Sequence, residues 1–261
     1  MEHILDLDRY PLDQPGSPEW QAMVTAAKAG LGRDGLFNLV GLMRPEAVEA
    51  TLDHVRPRMA TESFNHSRWH NIYFKDEVDG LAPDDPALTK VETANHTLCH
   101  DQMQGTALDQ LYNWAPFMEF LAVVMDQPQL FVMDDPLSGL NVLEYRDGEA
   151  LNWHFDRSIF TTTLLLQAPK GGGVFEYAQN LRSDDDPNHS GIADLLQGRM
   201  TPTQMPQDAG TLNVFLGRNT AHRVSRIKGD RSRIVAVLAH YDRPGARFSP
   251  SEQMGFFGRT A

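Results

Sequence analysis

The chain has 261 residues and is 41% hydrophobic, enough to bury a full core as one large domain. Lysine and arginine number 23 against 35 acidic residues, and the resulting net charge of −12 excludes the broad basic face that nucleic acid or an anionic membrane requires. Cys99 is the one cysteine, which excludes an intrachain disulfide framework and makes a reducing cytoplasm the expected compartment.

Residues 1–10 are acidic and carry no apolar run, so no secretory leader is expected there. No uncharged stretch approaches the roughly 20 residues of a membrane span. Ser17-Pro18-Glu19 ahead of Trp20 reads as a helix start, with Ser17 as N-cap, and Gly30 and Gly32 are expected to end that helix. Residues 36–42 suit a short strand. Pro45-Glu46-Ala47 opens a second helix whose apolar side, Val48, Leu52 and Val55, is a packing face. Residues 63–74 gather His66, Arg68, Trp69, His70, Asn71 and Tyr73, which reads either as a substrate wall or as a loop packed on the core. Residues 76–86 are acidic and turn-rich, a surface connection. His96 and His100, four apart, suit one helix face, but nothing nearby completes a zinc pattern. Residues 108–125 are helical in pattern, with Pro116 opening a second segment.

After Pro128 the texture changes. Short apolar runs at 131–133, 140–145, 153–156, 160–167, 173–177, 211–216, 221–224 and 234–241 alternate with breakers such as Asp147-Gly148 and Lys170-Gly171-Gly172. Eight or so strands at this spacing indicate a sandwich or barrel. The first half is thus expected to be mostly helical and the second mostly strand. An insert at 182–198 carries Asp184-Asp185-Asp186 and ends in a short helix near 192–197; it reads equally as a lid or as an acidic surface loop.

The chemistry centres on Asn152-Trp153-His154-Phe155-Asp156-Arg157. On a strand, residues i and i+2 share a face, so the His154 imidazole and the Asp156 carboxylate point the same way, and Arg157 points the other. Such a pair makes two thirds of a facial Fe(II) site, completed by a distant histidine and leaving three positions open. His222, opening a short strand after Gly217-Arg218-Asn219-Thr220, is the natural third ligand. The second oxygen of Asp156 can accept a hydrogen bond that fixes the ligand set. Arg233 follows His222 by eleven residues, with Arg231 two before it on the same expected strand face. A guanidinium heading an apolar strand needs an anion, and it suits a bidentate grip on the far carboxylate of 2-oxoglutarate. An ordinary ion pair with one of the many acids is the alternative for either arginine. His240, an odd number of residues from Arg233, reads as a buried structural histidine.

The spaced pattern Tyr145-x-x-Gly148, Trp153-His154-Phe155-Asp156, Gly172-Gly173-x-Phe175, Ala209-Gly210-Thr211-Leu212, His222-Arg223-Val224 and Gly229-Asp230-Arg231-Ser232-Arg233 resembles the Fe(II)/2-oxoglutarate oxygenase superfamily. Within it, residues 135–245 resemble the BesD/HalD-type free amino-acid halogenases and their hydroxylase relatives, a likeness strengthened by Leu165-Leu166-Gln167-Ala168-Pro169 and His240-Tyr241-Asp242-Arg243-Pro244-Gly245. The resemblance implies an α+β fold: a double-stranded β-helix (a cupin-like jelly roll) with flanking N-terminal helices. It implies Fe(II) on His154, Asp156 and His222, 2-oxoglutarate held by Tyr145 and Arg233, and O2 as oxidant. Halogenases of that family carry a small residue in place of the carboxylate and bind chloride there. Asp156 stands at that position, so the resemblance here points to hydroxylation of an unactivated C–H.

The expected organisation is a single oxygenase domain over 1–261, with a helical flank and substrate wall at 1–127, a jelly-roll core at 128–245 and a tail at 246–261. A free amino acid needs a cation or amide for its carboxylate, for which Arg68, His70 and Asn71 are candidates. It needs an acid for its amine, for which Glu144 or the triple-aspartate insert is the candidate. Desaturation or ring formation would use the same iron site. A non-catalytic cupin-like binding module is the rival class, in which Arg233 and an open ligand triad have no use. The expected partner is a small molecule, with neither nucleic acid nor membrane, and a homodimer is allowed.

Overall fold

The computed structural model describes residues 1–261. Helix α1, Pro18–Asp34, begins as its sequence demands: the Ser17 hydroxyl accepts from the Trp20 amide at 3.2 Å and Pro18 sits in the first turn. It runs through Gly30 and Gly32 and stops at Gly35, which takes the left-handed conformation at φ 72°. Gly30 is a packing residue, since a Cβ there would lie 3.0 Å from the Leu36 carbonyl oxygen. The expected stop was therefore one turn early.

Strand β1 is Leu36–Leu39 and helix α2 is Pro45–Thr61. Residues Phe64–His70, expected as a substrate wall or a loop packed on the core, form strand β2, with the even-numbered residues on its more buried face. Strand β3, Val91–Leu98, carries His96, whereas His100 lies in a separate 3-10 turn. The two histidines share no helix face: His96 meets Glu149 at 3.1 Å and His100 meets Asp109 at 3.1 Å. The 108–125 region divides into α3, Ala107–Tyr112, and α4, Ala115–Val124, where Pro116 enters the first turn.

The remaining elements are β4 (Phe131–Val132), β5 (Leu140–Tyr145), β6 (Leu151–His154), β7 (Thr161–Gln167), β8 (Phe175–Ala178), α5 (His189–Leu196), β9 (Thr203–Met205), β10 (Leu212–Phe215), β11 (Ala221–Val224), β12 (Arg233–Leu238), β13 (His240–Tyr241) and α6 (Pro250–Phe257). A seven-stranded sheet has the order β1-β10-β7-β12-β5-β3-β2, and a four-stranded sheet has the order β6-β11-β8-β9. All pairings are antiparallel. The first half thus supplies three strands of the large sheet and is not simply a helical flank. The 234–241 run divides at Ala239, which lies between β12 and β13, its amide donating to the Gly139 carbonyl at 2.7 Å.

Strand alternation sorts residues between two cores. Ile234, Ala236 and Leu238 of β12 face the helices, packing with residues of α1, α2 and α4. Val235 faces the other way and packs with Tyr145, Leu165 and Val224 between the sheets. No helix is long and apolar enough to cross a membrane.

Tyr112 joins α3 to this framework. Its fully buried hydroxyl donates to the Ala239 carbonyl at 3.0 Å and accepts from the Met133 amide at 2.9 Å. Tyr112→Phe leaves both backbone groups unpaired and should lower unfolding free energy by about 1–3 kcal/mol in urea titration. An unchanged midpoint would show that the two bonds contribute nothing.

Candidate metal centre

His154 is the last residue of β6 and His222 the second of β11, and the ladder sets them directly opposite each other. Their ring centroids lie 4.1 Å apart. Asp156 departs from the expectation of a strand residue, because β6 ends at His154 and Asp156 sits two residues beyond it. It is held by two ties: its amide donates to the Gly217 carbonyl at 3.0 Å, and the Thr161 hydroxyl of β7 donates to its Oδ2. A side chain at position 217 would collide with the carboxylate, so glycine is required there. His154 Nε2 lies 3.3 Å from Asp156 Oδ1, and His222 Nε2 lies 3.4 Å from Oδ2. All three donor atoms fall within 4.8 Å of one another.

The ring tautomers follow from the outer contacts. His154 Nδ1 is 2.8 Å from the Asn152 carbonyl oxygen, and His222 Nδ1 is 3.0 Å from that of Thr220. A carbonyl only accepts, so each Nδ1 carries the hydrogen and each Nε2 turns a lone pair inward. Burial pushes His222 down to about 4, with the neighbouring His154 acting in the same direction. Burial alone would raise the Asp156 carboxyl; His222, His154 and the Thr161 hydroxyl outweigh it and hold it below the ordinary range. Two inward lone pairs and a carboxylate repel one another unless a cation lies among them. The donor types, two imidazole nitrogens and one carboxylate oxygen, fit Fe(II).

Beyond this centre, between the sheets, Arg233 and Tyr145 each keep a buried polar atom without a partner. Arg233 opens β12 opposite Tyr145, the last residue of β5. Its guanidinium donates to the Gly173 carbonyl at 3.3 Å and to Gln207 Oε1 at 2.9 Å, leaving Nε free, and the Tyr145 hydroxyl has no partner at all. Burial pushes Arg233 down to about 10, and no carboxylate pairs with it, against the ordinary ion-pair reading. Arg231 is exposed and precedes β12, so it shares no strand face with Arg233.

The expected substrate residues separate. Arg68 lies over the Phe74 ring at 4.4 Å with its Nε unpartnered, and Phe74 stands 5.9 Å from the His154 ring. His70 packs on Phe74 at 4.3 Å, but both of its nitrogens are engaged, with the Asn71 carbonyl at 2.9 Å and the Thr93 hydroxyl at 2.7 Å. Asn71 holds its own loop, its Oδ1 accepting from the Tyr73 and Lys75 amides at 3.1 and 3.3 Å. Glu144 lies on the helix-facing side, taken up by Arg146 at 2.8 Å and the Ser232 hydroxyl at 2.7 Å. Asp184, Asp185 and Asp186 are exposed. Of this set, Arg68 has a buried donor nitrogen with no partner. Phe74 and Phe256, both packed against Arg68, carried no sequence signal beyond being aromatic. His240 packs on Tyr112 at 4.7 Å and meets the Tyr112 carbonyl oxygen at 3.0 Å, a structural role.

Residues 87–247, more than half the chain, match the family of halogenase D. The chain belongs to the halogenase D family. The fold is similar to that of a Pseudomonas putida prolyl-4-hydroxylase, with 15% identity over 83% of this chain and 98% of that one and a TM-score of 0.51. It is similar also to the epimerase SnoN in complex with Fe3+, alpha ketoglutarate and nogalamycin RO (16% identity, 83% of each chain, TM-score 0.54). A third likeness is to HygX from Streptomyces hygroscopicus with nickel and 2-oxoglutarate bound (13% identity, 82% of this chain and 85% of that one, TM-score 0.54). No protein of curated function matches the sequence. Family and double-stranded β-helix fold together make this family member an Fe(II)/2-oxoglutarate-dependent oxygenase, an enzyme using iron, 2-oxoglutarate and O2.

Burial pushes His70 and His240, like His222, down to about 4. Unfolded, each takes up a proton near 6.5, so between about pH 6.5 and 4 the unfolded chain binds more protons than the folded one. Stability of the metal-free protein should therefore fall as pH drops through that window. Urea midpoints at pH 7 and pH 5 check this; equal midpoints would contradict neutral burial of the three rings.

Proposed function

We propose that this protein hydroxylates an unactivated C–H bond of a free amino acid or amino-acid derivative. In this reading His154, Asp156 and His222 hold Fe(II), and Arg233 with Tyr145 holds the distal carboxylate of 2-oxoglutarate. The observation that carries it is the seating of Asp156, tied to Thr161 and Gly217 with its carboxylate against both imidazoles. A carboxylate placed there fills the position that a chloride would need.

Bound iron and 2-oxoglutarate supply the oxidising chemistry: O2 and 2-oxoglutarate are consumed, one oxygen atom enters the substrate C–H, and succinate and CO2 are released. The chain's residues supply placement. The Nδ1 hydrogens of His154 and His222, donated to backbone carbonyls, keep Nε2 aimed inward. The Thr161 hydroxyl keeps Asp156 from rotating. Leu165, Val224 and Val235 keep water from the deep end of the co-substrate slot. Arg68 sits over the Phe74 ring, which neighbours His154, and its free Nε suits a substrate carboxylate. Strands β1, β2 and β3 of the first half join the same sheet as β5, β7, β10 and β12, so the chain acts as one oxygenase unit. The buried state of its single cysteine, Cys99, is compatible with a reducing cytoplasm.

Two measurements test this. Reactions with free amino acids in high chloride, followed by mass spectrometry, should give hydroxylated and no chlorinated products; Asp156→Gly should lose most hydroxylation and chlorinate poorly or not at all. A chlorinated product from the unaltered protein overturns the role of Asp156. Arg233→Ala should weaken 2-oxoglutarate binding by about 2–5 kcal/mol, whereas the exposed Arg231→Ala should leave it unchanged. A larger effect at Arg231 reverses the assignment.

A further inference from the structure

Asn213 is fully buried in β10, and neither atom of its side-chain amide has a hydrogen-bond partner. An amide stripped of water and left unpaired is unfavourable, and native structures keep few such groups without a reason. The surroundings show where its polar atoms can be satisfied. Phe215, two residues on, packs its ring 4.7 Å from that of His222, so strand alternation puts Asn213 on the same face, between the sheets. Across the ladder on β7 its partner is Thr163, two residues beyond Thr161, which holds Asp156. Asn213 thus lies one pleat deeper than the metal-ligand layer.

The same interior continues to Arg233 and Tyr145. Thr163 pairs with Val237 of β12, and Arg233 lies four residues back along that strand, on the same face. Three groups border this space with unpaired atoms: the Asn213 amide, the Tyr145 hydroxyl and Arg233 Nε. Arg233 and Tyr145 mark the far end, and Asn213 the end near the metal ligands. A dicarboxylate lying between them meets donors at both ends.

We propose that Asn213 binds the metal-facing half of 2-oxoglutarate, its Nδ2 donating to a carboxylate oxygen of the co-substrate. The inference rests on the co-substrate reading above and adds a contact that neither the metal triad nor Arg233 provides. It also gives the buried amide a purpose: Asn213 is left unsatisfied in the empty fold and is satisfied on binding.

That distinction sets the test. Asn213→Leu keeps the size and removes the amide; Asn213→Ala repeats the comparison without added bulk; Asn213→Asp sets a carboxylate against a carboxylate. Two quantities are read on the whole protein: 2-oxoglutarate affinity of the Mn(II)-loaded form by calorimetry, and the melting temperature without metal or co-substrate. We expect 2-oxoglutarate affinity to fall at least tenfold for Leu and Ala and further for Asp, with Mn(II) affinity unchanged. The melting temperature of Asn213→Leu should hold or rise, because no bond is lost in the empty protein. Affinity within twofold of wild type for both Leu and Ala overturns the proposal. So does a lower melting temperature for Leu with unaltered co-substrate affinity, the sign of a purely structural amide. If the wild type itself binds no 2-oxoglutarate while Arg233→Ala is equally inert, the reading of the whole slot fails and takes the proposal with it.

Discussion

Asp156 is secured where the two sheets come closest in chemistry, between the end of β6 in the small sheet and the start of β7 in the large one. Its amide is fixed by Gly217 and its carboxylate by Thr161, so both its backbone and its head group are oriented before any ligand arrives. The two histidines need no such device, because the β6–β11 ladder already sets them face to face. A carboxylate beyond the end of a strand has no ladder to direct it. The turn after β10, with no side chain at Gly217, and one hydroxyl on β7 replace that ladder, and the geometry of the centre depends on them.

How much of this was legible in the sequence depended on whether a residue's role followed from spacing or from neighbours distant in the chain. His154 and Asp156 stand two apart, His222 opens a distant strand-forming run and Arg233 opens an apolar strand, so residue type and position together suggested their chemistry. Arg231 was misplaced because the same alternation was extended two residues before β12 begins. Strand β2 was misread for a different reason. Its more buried face is Phe64, His66, Arg68 and His70, a polar and aromatic lining, so the apolar alternation that usually announces a strand is missing. Glu144 looked free for an amine, but period-two geometry turns it to the helix side, away from Tyr145. Asn213, set in Leu-Asn-Val-Phe, was silent; only the absence of partners in the folded chain singles it out.

Membership of the halogenase D family and a carboxylate at Asp156 are compatible, because fold and ligand set are separate properties. The jelly roll sets His154 opposite His222; in the proposed iron site the residue two positions after His154 would determine what else the metal can accept. Thr161 and Gly217 are fitted to that carboxylate in particular, one by a hydrogen bond and one by having no side chain. The surroundings of Asp156 therefore support the role proposed for it, beyond a single residue that happens to differ.

Strand β2 ends the large sheet, hydrogen-bonded on one side only, to β3. His222 and Arg233 sit on β11 and β12, strands paired on both sides, whereas His154 ends β6, the edge strand of the small sheet. Arg68 and His70 hang from a strand near His154 whose remodelling disturbs a single ladder. Changes in shape or charge along β2 can alter which molecule is admitted while the oxidising centre keeps its geometry. In evolutionary terms the architecture separates the choice of target from the power to oxidise it, so one scaffold can drift among substrates without rebuilding its chemistry.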